Sequence, residues 1–351
     1  MSSLSPELPI ALDAMGSDLA PQPELEGALE AARESGTRIL LVGLVEELQQ
    51  ALDAHAGPER ELIELVSATE VIRMDEKVMR AVRSKKDSSI HVACRLVRDG
   101  RAAAVVSAGN TGAVMATAKM ILGSLPGVQR PALAAAFPTA AGTAAVLLDV
   151  GANVDCRAEH LEQFGIMGEI FYRAKFHAPR PRVGLLSIGE EESKGNELTR
   201  EAFGLLKALP IDFIGNVEGR DLYNGQVDVI VCDGFVGNVA LKISEGLVET
   251  VRTLLKEALG GSLAGKVGYA LSRKAYAEFK KRLDYTEYGG APLLGLRGVV
   301  TVSHGSSNAN AIKNAIRVAR ELYQQNLTDQ ITREIARLRA STVAQSVEGD
   351  T

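Results

Sequence analysis

Six times along this chain a short apolar run ends in a loop rich in Gly, Asn, Ser or Asp, and a helical pattern follows. These strand–loop–helix units constrain the fold to alternating β and α elements. Gly, Asn and Ser also let backbone N–H groups converge on an anion at a helix N-terminus, where the helix dipole favours negative charge. Several such loops at one edge of a sheet predict a site for phosphate or an oxyanion. The loops occupy residues 107–112, 149–153, 187–196, 215–216, 232–238 and 303–308.

The apolar runs themselves are short, unalternating and bounded by turn residues. This pattern indicates strands covered on both faces, as in a mainly parallel sheet. Two of the runs, 133–138 and 143–150, are separated only by residues 139–142, too few for a crossover helix, so we expect an antiparallel hairpin there. The predicted fold class is therefore α/β, with three α/β/α layers around a mainly parallel mixed sheet.

Composition narrows the class of protein. The 351 residues can bury a large core, and the net charge of −5 argues against a nucleic-acid binder. Cys94, Cys156 and Cys232 lie far apart without any metal-ligand spacing, so we expect neither a metal site nor a disulfide framework. The N-terminus lacks the pattern of a signal peptide and no apolar run approaches the length of a membrane span, which predicts a cytoplasmic protein.

We expect residues 1–340 to form a single α/β catalytic domain, as one body or as two lobes, and 341–351 to be a disordered tail. Within the domain, 253–283 is predicted as a protruding helical hairpin. Between Arg252 and Arg282 there are eight Lys/Arg and two Asp/Glu. The basic hairpin suits an anionic membrane or an acidic partner protein, and a dimer interface or a solvated face is the plainer alternative. Its predicted apolar tip consists of Leu263, Val267, Tyr269 and Leu271.

The loop 107–112 is the strongest single candidate for anion binding. Its two glycines allow close backbone approach, and Ser107, Asn110 and Thr111 can donate hydrogen bonds, although an ordinary strand–helix turn has the same composition. The sequence contains no G-x-G-x-x-G after a strand, no G-x-x-x-x-G-K-[ST] and no G-x-S-x-G, which disfavours nucleotide-dependent and serine-hydrolase chemistry.

Several charged or titratable side chains accompany the other loops. Lys242 follows the 232–238 loop and could pair with Asp233 or face a substrate; a helix cap and a solvent-facing cation are the alternatives. His304 is the best acid–base candidate because it lies in a strand–helix loop. Cys232 could accept an acyl group, but a buried cysteine is usually inert. The basic run around Arg80 and Arg83 is either an anion funnel at a site mouth or a solvated turn.

Taken in order, these segments resemble the bacterial phosphate acyltransferases, which are acyl-carrier-protein:phosphate transacylases. The resemblance runs from about residue 9 to about residue 325. Ser17 departs from the family pattern, where a second glycine is common. The segments that carry the resemblance are IALDAMGSD at 10–18, AVRSKKDSS at 81–89, SAGNTG at 107–112, LPGVQRPAL at 125–133, DVGAN at 149–153, KGN at 194–196, DGFVGN at 233–238 and HGSS at 304–307.

The resemblance implies a fold similar to isocitrate-type dehydrogenases and phosphotransacetylases. It implies transfer of a long-chain acyl group from acyl carrier protein to inorganic phosphate, giving acyl phosphate that a membrane acyltransferase passes to glycerol 3-phosphate in phospholipid synthesis. No cofactor is expected, since phosphopantetheine is carried by the acyl carrier protein. The implied protein is a homodimer that is cytoplasmic yet docks peripherally on the membrane.

On this reading the predicted site residues fall into three groups. Catalytic roles are assigned to Asn110, Lys194, Asp233, Lys242 and His304. Binding of phosphate or the oxyanion is assigned to Ser107, Gly109, Asn110, Thr111, Gly112, Asn153, Asn196, Asn238 and Ser306. Docking of the carrier protein is assigned to Arg83, Lys85, Lys86, Arg273 and Lys274.

Three alternative functions stay open. A coenzyme-A-dependent phosphotransacylase for short acyl groups would use the same loops, and an NAD(P)-dependent dehydrogenase of similar fold need not contain the glycine motif. A non-catalytic membrane scaffold built on the basic hairpin is the alternative from another class.

Overall fold

The computed structural model describes residues 7–282 and 289–348, which form eleven strands and thirteen helices. The strands are β1 (Ile10–Asp13), β2 (Ile39–Gly43), β3 (Ile63–Ser67), β4 (Ala104–Ser107), β5 (Ala132–Pro138), β6 (Ala144–Leu148), β7 (Arg182–Leu186), β8 (Asp212–Val217), β9 (Val229–Val231), β10 (Ala291–Leu294) and β11 (Val299–Val302). The helices are α1 (Gln22–Ser35), α2 (Val45–Asp53), α3 (Val78–Ser84), α4 (Ser89–Arg98), α5 (Thr111–Leu122), α6 (Ala158–Phe176), α7 (Glu197–Lys207), α8 (Asp221–Asn224), α9 (Gly234–Gly260), α10 (Leu263–Leu271), α11 (Arg273–Arg282), α12 (Ala309–Gln324) and α13 (Leu327–Glu348).

The strands form one mixed sheet in the order β3-β2-β1-β4-β11-β10-β5-β6-β9-β7-β8. The first five strands in this order are parallel to one another, and so are the last four. β10 and β5 lie between these two groups and pair antiparallel with each other and with their outer neighbours, β11 and β6. The mainly parallel mixed sheet and the antiparallel β5–β6 hairpin predicted from the sequence are confirmed.

Helices cover both faces of the sheet. Along β1, Ile10 and Leu12 belong to one hydrophobic cluster, whereas Ala11 belongs to the other. The first cluster includes residues of α1, α6 and α12, and the second includes residues of α4 and α5. This double burial explains why the strands read as unalternating apolar runs, and it confirms the three-layer α/β/α prediction.

The basic segment differs in detail from the predicted hairpin. The link expected between its two helices forms a further helix, α10, because Leu263, Val267 and Leu271 recur every four residues, which is a helical spacing. Most of α9 stands away from the core, since only Gly234 and Gly237 are buried along it. The side chain of Leu263 and residue 283 lie outside the part of the chain that the structure describes.

The C-terminal segment is helical where the sequence predicted a disordered tail. α13 continues from Leu327 to Glu348, and residues 349–351 lie outside the described range. No Gly or Pro interrupts the sequence between 327 and 348, so no residue in this segment breaks the helix.

The turn after β1 packs directly on the loop after β4. A Cβ added at Gly16 would lie 2.7 Å from the backbone nitrogen of Gly109, so only glycine fits there. Ser107 Oγ donates to Asp13 Oδ2 at 2.7 Å and accepts from the Gly109 N–H at 3.1 Å. Ser17, the departure from the family pattern, is not among the residues with positive φ. The substitution of serine for glycine therefore introduces no left-handed strain.

A buried carboxyl group lies behind this turn. Glu24 is fully buried, and its Oε1 accepts a hydrogen bond from the Ser17 N–H. Burial is the main cause that raises the pKa of Glu24 to about 7; the charge of Asp13 acts in the same direction, and the hydrogen bonds from Ser17 oppose it. Burial also raises the pKa of Asp13. The turn that supports the 107–112 loop is therefore sensitive to proton uptake.

We expect Gly16→Ala to lower the free energy of unfolding by about 1–3 kcal/mol, because the new methyl group meets backbone atoms that cannot move aside. Gly204→Ala is the matched control. Gly204 lies in α7 with open space around its Cα, so alanine there should raise stability by about 0.5–1 kcal/mol through helix propensity. Urea denaturation measures both, and equal effects of the two variants would contradict the close packing of the two turns.

We expect Glu24→Gln to remove a pH-dependent loss of stability. Because the folded-state pKa is raised, protonated Glu24 favours folding fully below about pH 4.5, and this contribution is lost as the pH rises towards 7. The variant should match the wild type near pH 4.5 and become more stable by up to about 3 kcal/mol at pH 8. Denaturant midpoints measured from pH 4.5 to 8 test this, and parallel pH profiles would exclude a raised pKa.

Candidate active site

A cavity of about 340 Å³ lies at the centre of the sheet. β10 begins beside the end of β11, through the pair Ala291 and Val302, and ends beside the start of β5, through Leu294 and Ala132. The end of β6 also pairs near the start of β5. Measured along the strands, the carboxyl ends of the two oppositely directed parallel groups are therefore only about the length of the four-residue strand β10 apart. Loops from both groups line this single cavity.

Four of the six predicted loops contribute to the lining. They supply Thr111, Gly112, Val150, Gly151, Asn238, Ser303, His304 and Ser307. The remaining lining comes from strands β5, β10 and β11, from Gly290 just before β10, and from the faces of α9 and α12 that adjoin the loops. The sequence-based expectation that distant turns share one pocket therefore holds for these four loops.

The loops 187–196 and 215–216 lie elsewhere. Residues 187–196 follow β7. Gly215 and Asn216, which the sequence predicted as a loop, lie within β8, because they pair with residues of β7. β7 and β8 form the edge of the sheet beyond β9. Asn216 donates through its side chain to the carbonyl of Glu191, so the 187–196 loop is bound to β8. Asn196 lines a separate surface depression beside Cys156 and Arg157, and Lys194 is not among the residues that line the cavity. Within one chain, the structure does not bring Lys194 or Asn196 to the other predicted site residues.

Several predicted binding residues are engaged in holding the loops. Asn110 caps α5 by accepting from the Ala113 N–H, and its amide donates to the carbonyl of Met74. Asp233 caps α9 in the same way, which is the structural role considered for it from the sequence. Asn153 is buried and donates to Asp149 Oδ2 at 2.8 Å and to the carbonyl of Pro131 at 2.7 Å.

Two further predicted residues lie beneath the cavity surface. Ser107 is fully buried on Asp13, and Gly109 packs on Gly16. Thr111 and Gly112, one turn further along, line the cavity at the first turn of α5. N–H groups in the first turn of a helix have no acceptor within the helix, so this turn presents backbone donors to the cavity.

One face of α9 presents four side chains to the cavity, namely Asn238, Leu241, Lys242 and Glu245. They recur at three- and four-residue intervals, so they lie on the same side of the helix. Lys242 Nζ and Glu245 Oε2 form an ion pair at 2.8 Å. The cation therefore faces the cavity with its own counter-ion beside it.

Asn238 approaches the loop after β6 closely. A Cβ added at Gly151 would lie 2.7 Å from Asn238 Nδ2, and Gly151 has a φ of +136°, which disfavours any side chain. Glycine at position 151 thus lets the Asn238 amide lie against the backbone of this loop. The amide can donate to an oxygen atom in the cavity.

The imidazole of His304 is exposed at the cavity wall. Its Nδ1 accepts from the backbone N–H of Ser306 at 3.2 Å and lies 2.8 Å from Ser306 Oγ. Because Nδ1 accepts a hydrogen bond, the neutral ring carries its proton on Nε2. Ser306 therefore orients His304. The cavity is lined by Ser307 and not by Ser306.

The apolar lining and Glu245 were not predicted from the sequence. Leu133, Ala135 and Ala136 on β5, with Ala291 on β10, form an apolar wall. The Ala-rich run of β5 reads as ordinary core, although its small side chains leave the space that larger ones would fill. Glu245 could have been found from its three-residue spacing to Lys242.

Cys232 is buried, and burial raises the pKa of its thiol well above the ordinary range. Its Sγ lies 3.5 Å from the carbonyl oxygen of Asp149. A protonated, enclosed thiol is a poor nucleophile, which favours the packing role over a covalent acyl intermediate.

Comparison with known proteins places the chain in a family. A family model described as "Fatty acid synthesis protein" matches residues 8–330. A protein named phosphate acyltransferase from Koribacter versatilis is 65% identical over 332 residues, which are 93% of this chain and 92% of that protein. A phosphate acyltransferase from Acidobacterium capsulatum is 58% identical over 327 residues, 93% of this chain and 97% of that protein.

Solved structures with low sequence identity share the fold. A phosphotransacetylase from Streptococcus pyogenes has a TM-score of 0.63 at 16% identity and covers 92% of this chain and 95% of its own. A 4-hydroxythreonine-4-phosphate dehydrogenase from Klebsiella pneumoniae has a TM-score of 0.53 at 15% identity, covering 91% of this chain and 100% of its own. Because the family model spans most of the chain and the relatives exceed half identity along it, this chain belongs to the phosphate acyltransferase family.

Proposed function

We propose that this enzyme transfers a long-chain acyl group from the thioester of acyl carrier protein to inorganic phosphate, releasing acyl phosphate and the carrier thiol. The observation that supports this most directly is the composition of the one central cavity. Helix N–H groups, a lysine and an asparagine amide lie on the same cavity as an apolar wall. Such a cavity can hold an anion and an alkyl group together.

Phosphate binds, in this proposal, between the first turn of α5 and Lys242. The N–H groups of Thr111 and Gly112 and the helix dipole favour its negative charge. Phosphate then competes with Glu245 for the ammonium group of Lys242, which lies 2.8 Å from that carboxylate. The acyl carbons next to the thioester contact Leu133, Ala135 and Leu241, which line the cavity.

The reaction is a direct displacement. A phosphate oxygen attacks the thioester carbonyl carbon, the new C–O bond forms, and the C–S bond breaks. Asn238 donates to the oxyanion that develops on the carbonyl oxygen. The hydroxyl proton of hydrogen phosphate ends on the departing sulfur, and the Nε2–H group of His304 donates a hydrogen bond to that sulfur as it leaves. Phosphate is itself a nucleophile, so holding it in line with the carbonyl is the main contribution of the protein.

We expect His304→Ala to lower the rate of acyl-phosphate formation by roughly tenfold or more, because the hydrogen bond from Nε2 to the departing sulfur is lost. His55→Ala, a histidine outside the cavity lining, is the control and should retain the wild-type rate within about twofold. The measurement is phosphate-dependent loss of the acyl thioester of the carrier protein, repeated with acyl-CoA. Wild-type rates in a folded His304→Ala variant would refute this role.

The same assay separates the alternative functions. Turnover with short acyl-CoA and none with the carrier thioester would indicate a coenzyme-A-dependent phosphotransacylase. Cofactor binding in a titration with NAD(P) would favour a dehydrogenase. Vesicle binding without any phosphate-dependent thioester loss would leave only a membrane scaffold.

We further propose that α9 pairs with a second copy of the chain. Five large apolar side chains on α9 recur at intervals of four, four, four and three residues and are between 37% and 66% exposed. A stripe with this spacing matches the contact face of a helix pair. It consists of Val239, Ile243, Leu247, Val251 and Leu254.

Peripheral contact with a membrane fits the end of the same segment. Among the described helices, none is both long and apolar enough to cross a bilayer. Leu271 is 84% exposed, and Val267 and Tyr269 are also exposed beside the basic Arg273 and Lys274. Exposed apolar groups next to cations suit an anionic membrane surface. There the poorly soluble acyl phosphate would pass to an acyltransferase that acts on glycerol 3-phosphate.

Ile243→Glu combined with Leu247→Glu should convert a dimer into a monomer, because four charges would face one another across the paired helices. Analytical ultracentrifugation measures the change. The control is Glu249→Gln with Glu257→Gln, which alters exposed charges of α9 outside the stripe. A wild-type protein that sediments as a monomer at micromolar concentration would contradict the pairing.

A further inference from the structure

Helix α3 packs against the first turn of α5, which lines the cavity. A Cβ added at Gly112, which lines the cavity, would lie 3.3 Å from Val78 Cγ2 of α3. The segment before α3 is bound to the loop that precedes α5, because Asn110 Nδ2 donates to the carbonyl of Met74 at 3.1 Å. A protein bound on the outer face of α3 would therefore lie close to the turn of α5 that lines the cavity.

The outer face of α3 is both apolar and cationic. Met79 is 55% exposed, and Arg80 and Arg83 are exposed beside it, whereas Ala81 and Val82 are buried. Met79, Arg80, Arg83 and Ser84 together line a shallow concavity of about 440 Å³. We call these four residues the α3 face.

The two arginines of the α3 face are available for a partner. Within residues 7–282 and 289–348, neither guanidinium has an ion-pair partner. Lys85, which the sequence also assigned to docking, is engaged by Glu76 at 2.6 Å and by the carbonyl of Val71. Residues 71–86 contain six Lys/Arg and two Asp/Glu in a chain whose net charge is −5, so the local charge is opposite to that of the whole chain.

The rival basic patch, Arg273 and Lys274, lies further from the cavity. α10 and α11 pack beside the part of α9 that follows Arg252. From Glu245, the last cavity-lining residue of α9, to Arg252 the helix rises about 10 Å. The structure thus distinguishes two patches that the sequence treats as equivalent.

We propose that the acidic acyl carrier protein docks on the α3 face, with carboxylates opposite Arg80 and Arg83 and an apolar side chain on Met79. The prosthetic arm of the carrier then enters the cavity past Gly112. This inference rests on the proposed function, since it names where the acyl donor of that reaction binds. The site is a surface for an acidic protein, and the cavity itself takes only the thioester end.

Charge pairs at the rim of an interface act mainly on association. They change the on-rate and its dependence on salt, and they leave chemistry in a preformed cavity unaltered. The α3 face should therefore control KM for the carrier thioester and leave KM for phosphate unchanged.

The test is the double variant Arg80→Glu with Arg83→Glu. At low ionic strength we expect KM for the acyl carrier thioester to rise by roughly tenfold or more. KM for phosphate and turnover of a small acyl-pantetheine thioester should stay within about twofold of wild type. The wild-type KM for the carrier should also rise with added salt, and the variant should lose most of that dependence.

Two further double variants complete the design. Arg101→Glu with Arg180→Glu is the charge-matched control. These exposed arginines lie just before the amino ends of β4 and β7, and the variant should leave KM for the carrier thioester unchanged. Arg273→Glu with Lys274→Glu tests the rival patch. The proposal is overturned if the α3 variant keeps the wild-type KM, or if the rival variant has the larger effect.

Direct binding separates this inference from the proposed function. The affinity of the holo carrier protein, without an acyl group, is measured for wild type and the three double variants by calorimetry. Selective loss in the α3 variant supports the surface even if no acyl phosphate forms. Absence of carrier binding to wild type overturns it, whatever the enzyme does with acyl-CoA.

Discussion

The candidate active site depends on the reversal of strand direction in the middle of the sheet. In a fully parallel sheet all helix N-termini would lie along one edge, and a ligand would meet only one row of loops. Here β10 and β5 run antiparallel to each other between two oppositely directed groups. The loops after β4 and β11 therefore face the loop after β6 and the start of α9 across a short gap. The gap is the cavity.

Local sequence patterns predicted the layers but not the reversal. Residues 133–150 show their hairpin because the link between the strands is only four residues long. β10 gives no comparable signal, since it is a strand of only four residues and contains Pro292. Its partner β11 is nearby in the sequence, but its other partner, β5, is more than 150 residues away. Tertiary pairing fixes such a strand, and periodicity does not reveal it. The short helix α3 was also not predicted from the sequence, although its basic residues were identified.

The same residue types serve helix initiation and ligand binding, which limits what a loop sequence can say. Asn110, Asn196 and Asp233 each accept a hydrogen bond from the N–H group three residues ahead. They cap the helices that follow, and the cavity is lined instead by their neighbours, such as Thr111 and Asn238. Composition identified the four loops that line the cavity, together with two segments that do not. Which atom of a loop faces the ligand follows from packing, for example from the contact between Gly16 and Gly109.

Helix α9 joins two regions of the molecule in one rigid rod. Asn238 and Lys242 belong to the cavity, while Ile243 and Leu247, on an adjacent side of the helix, are exposed to the surroundings. Adjacent residues on a helix differ by about 100° in direction. A rotation of α9 about its axis that improved packing on the outer side would therefore move Asn238 and Lys242 away from the cavity. Whatever packs against the outer side therefore also fixes the direction in which Asn238 and Lys242 point on the inner side.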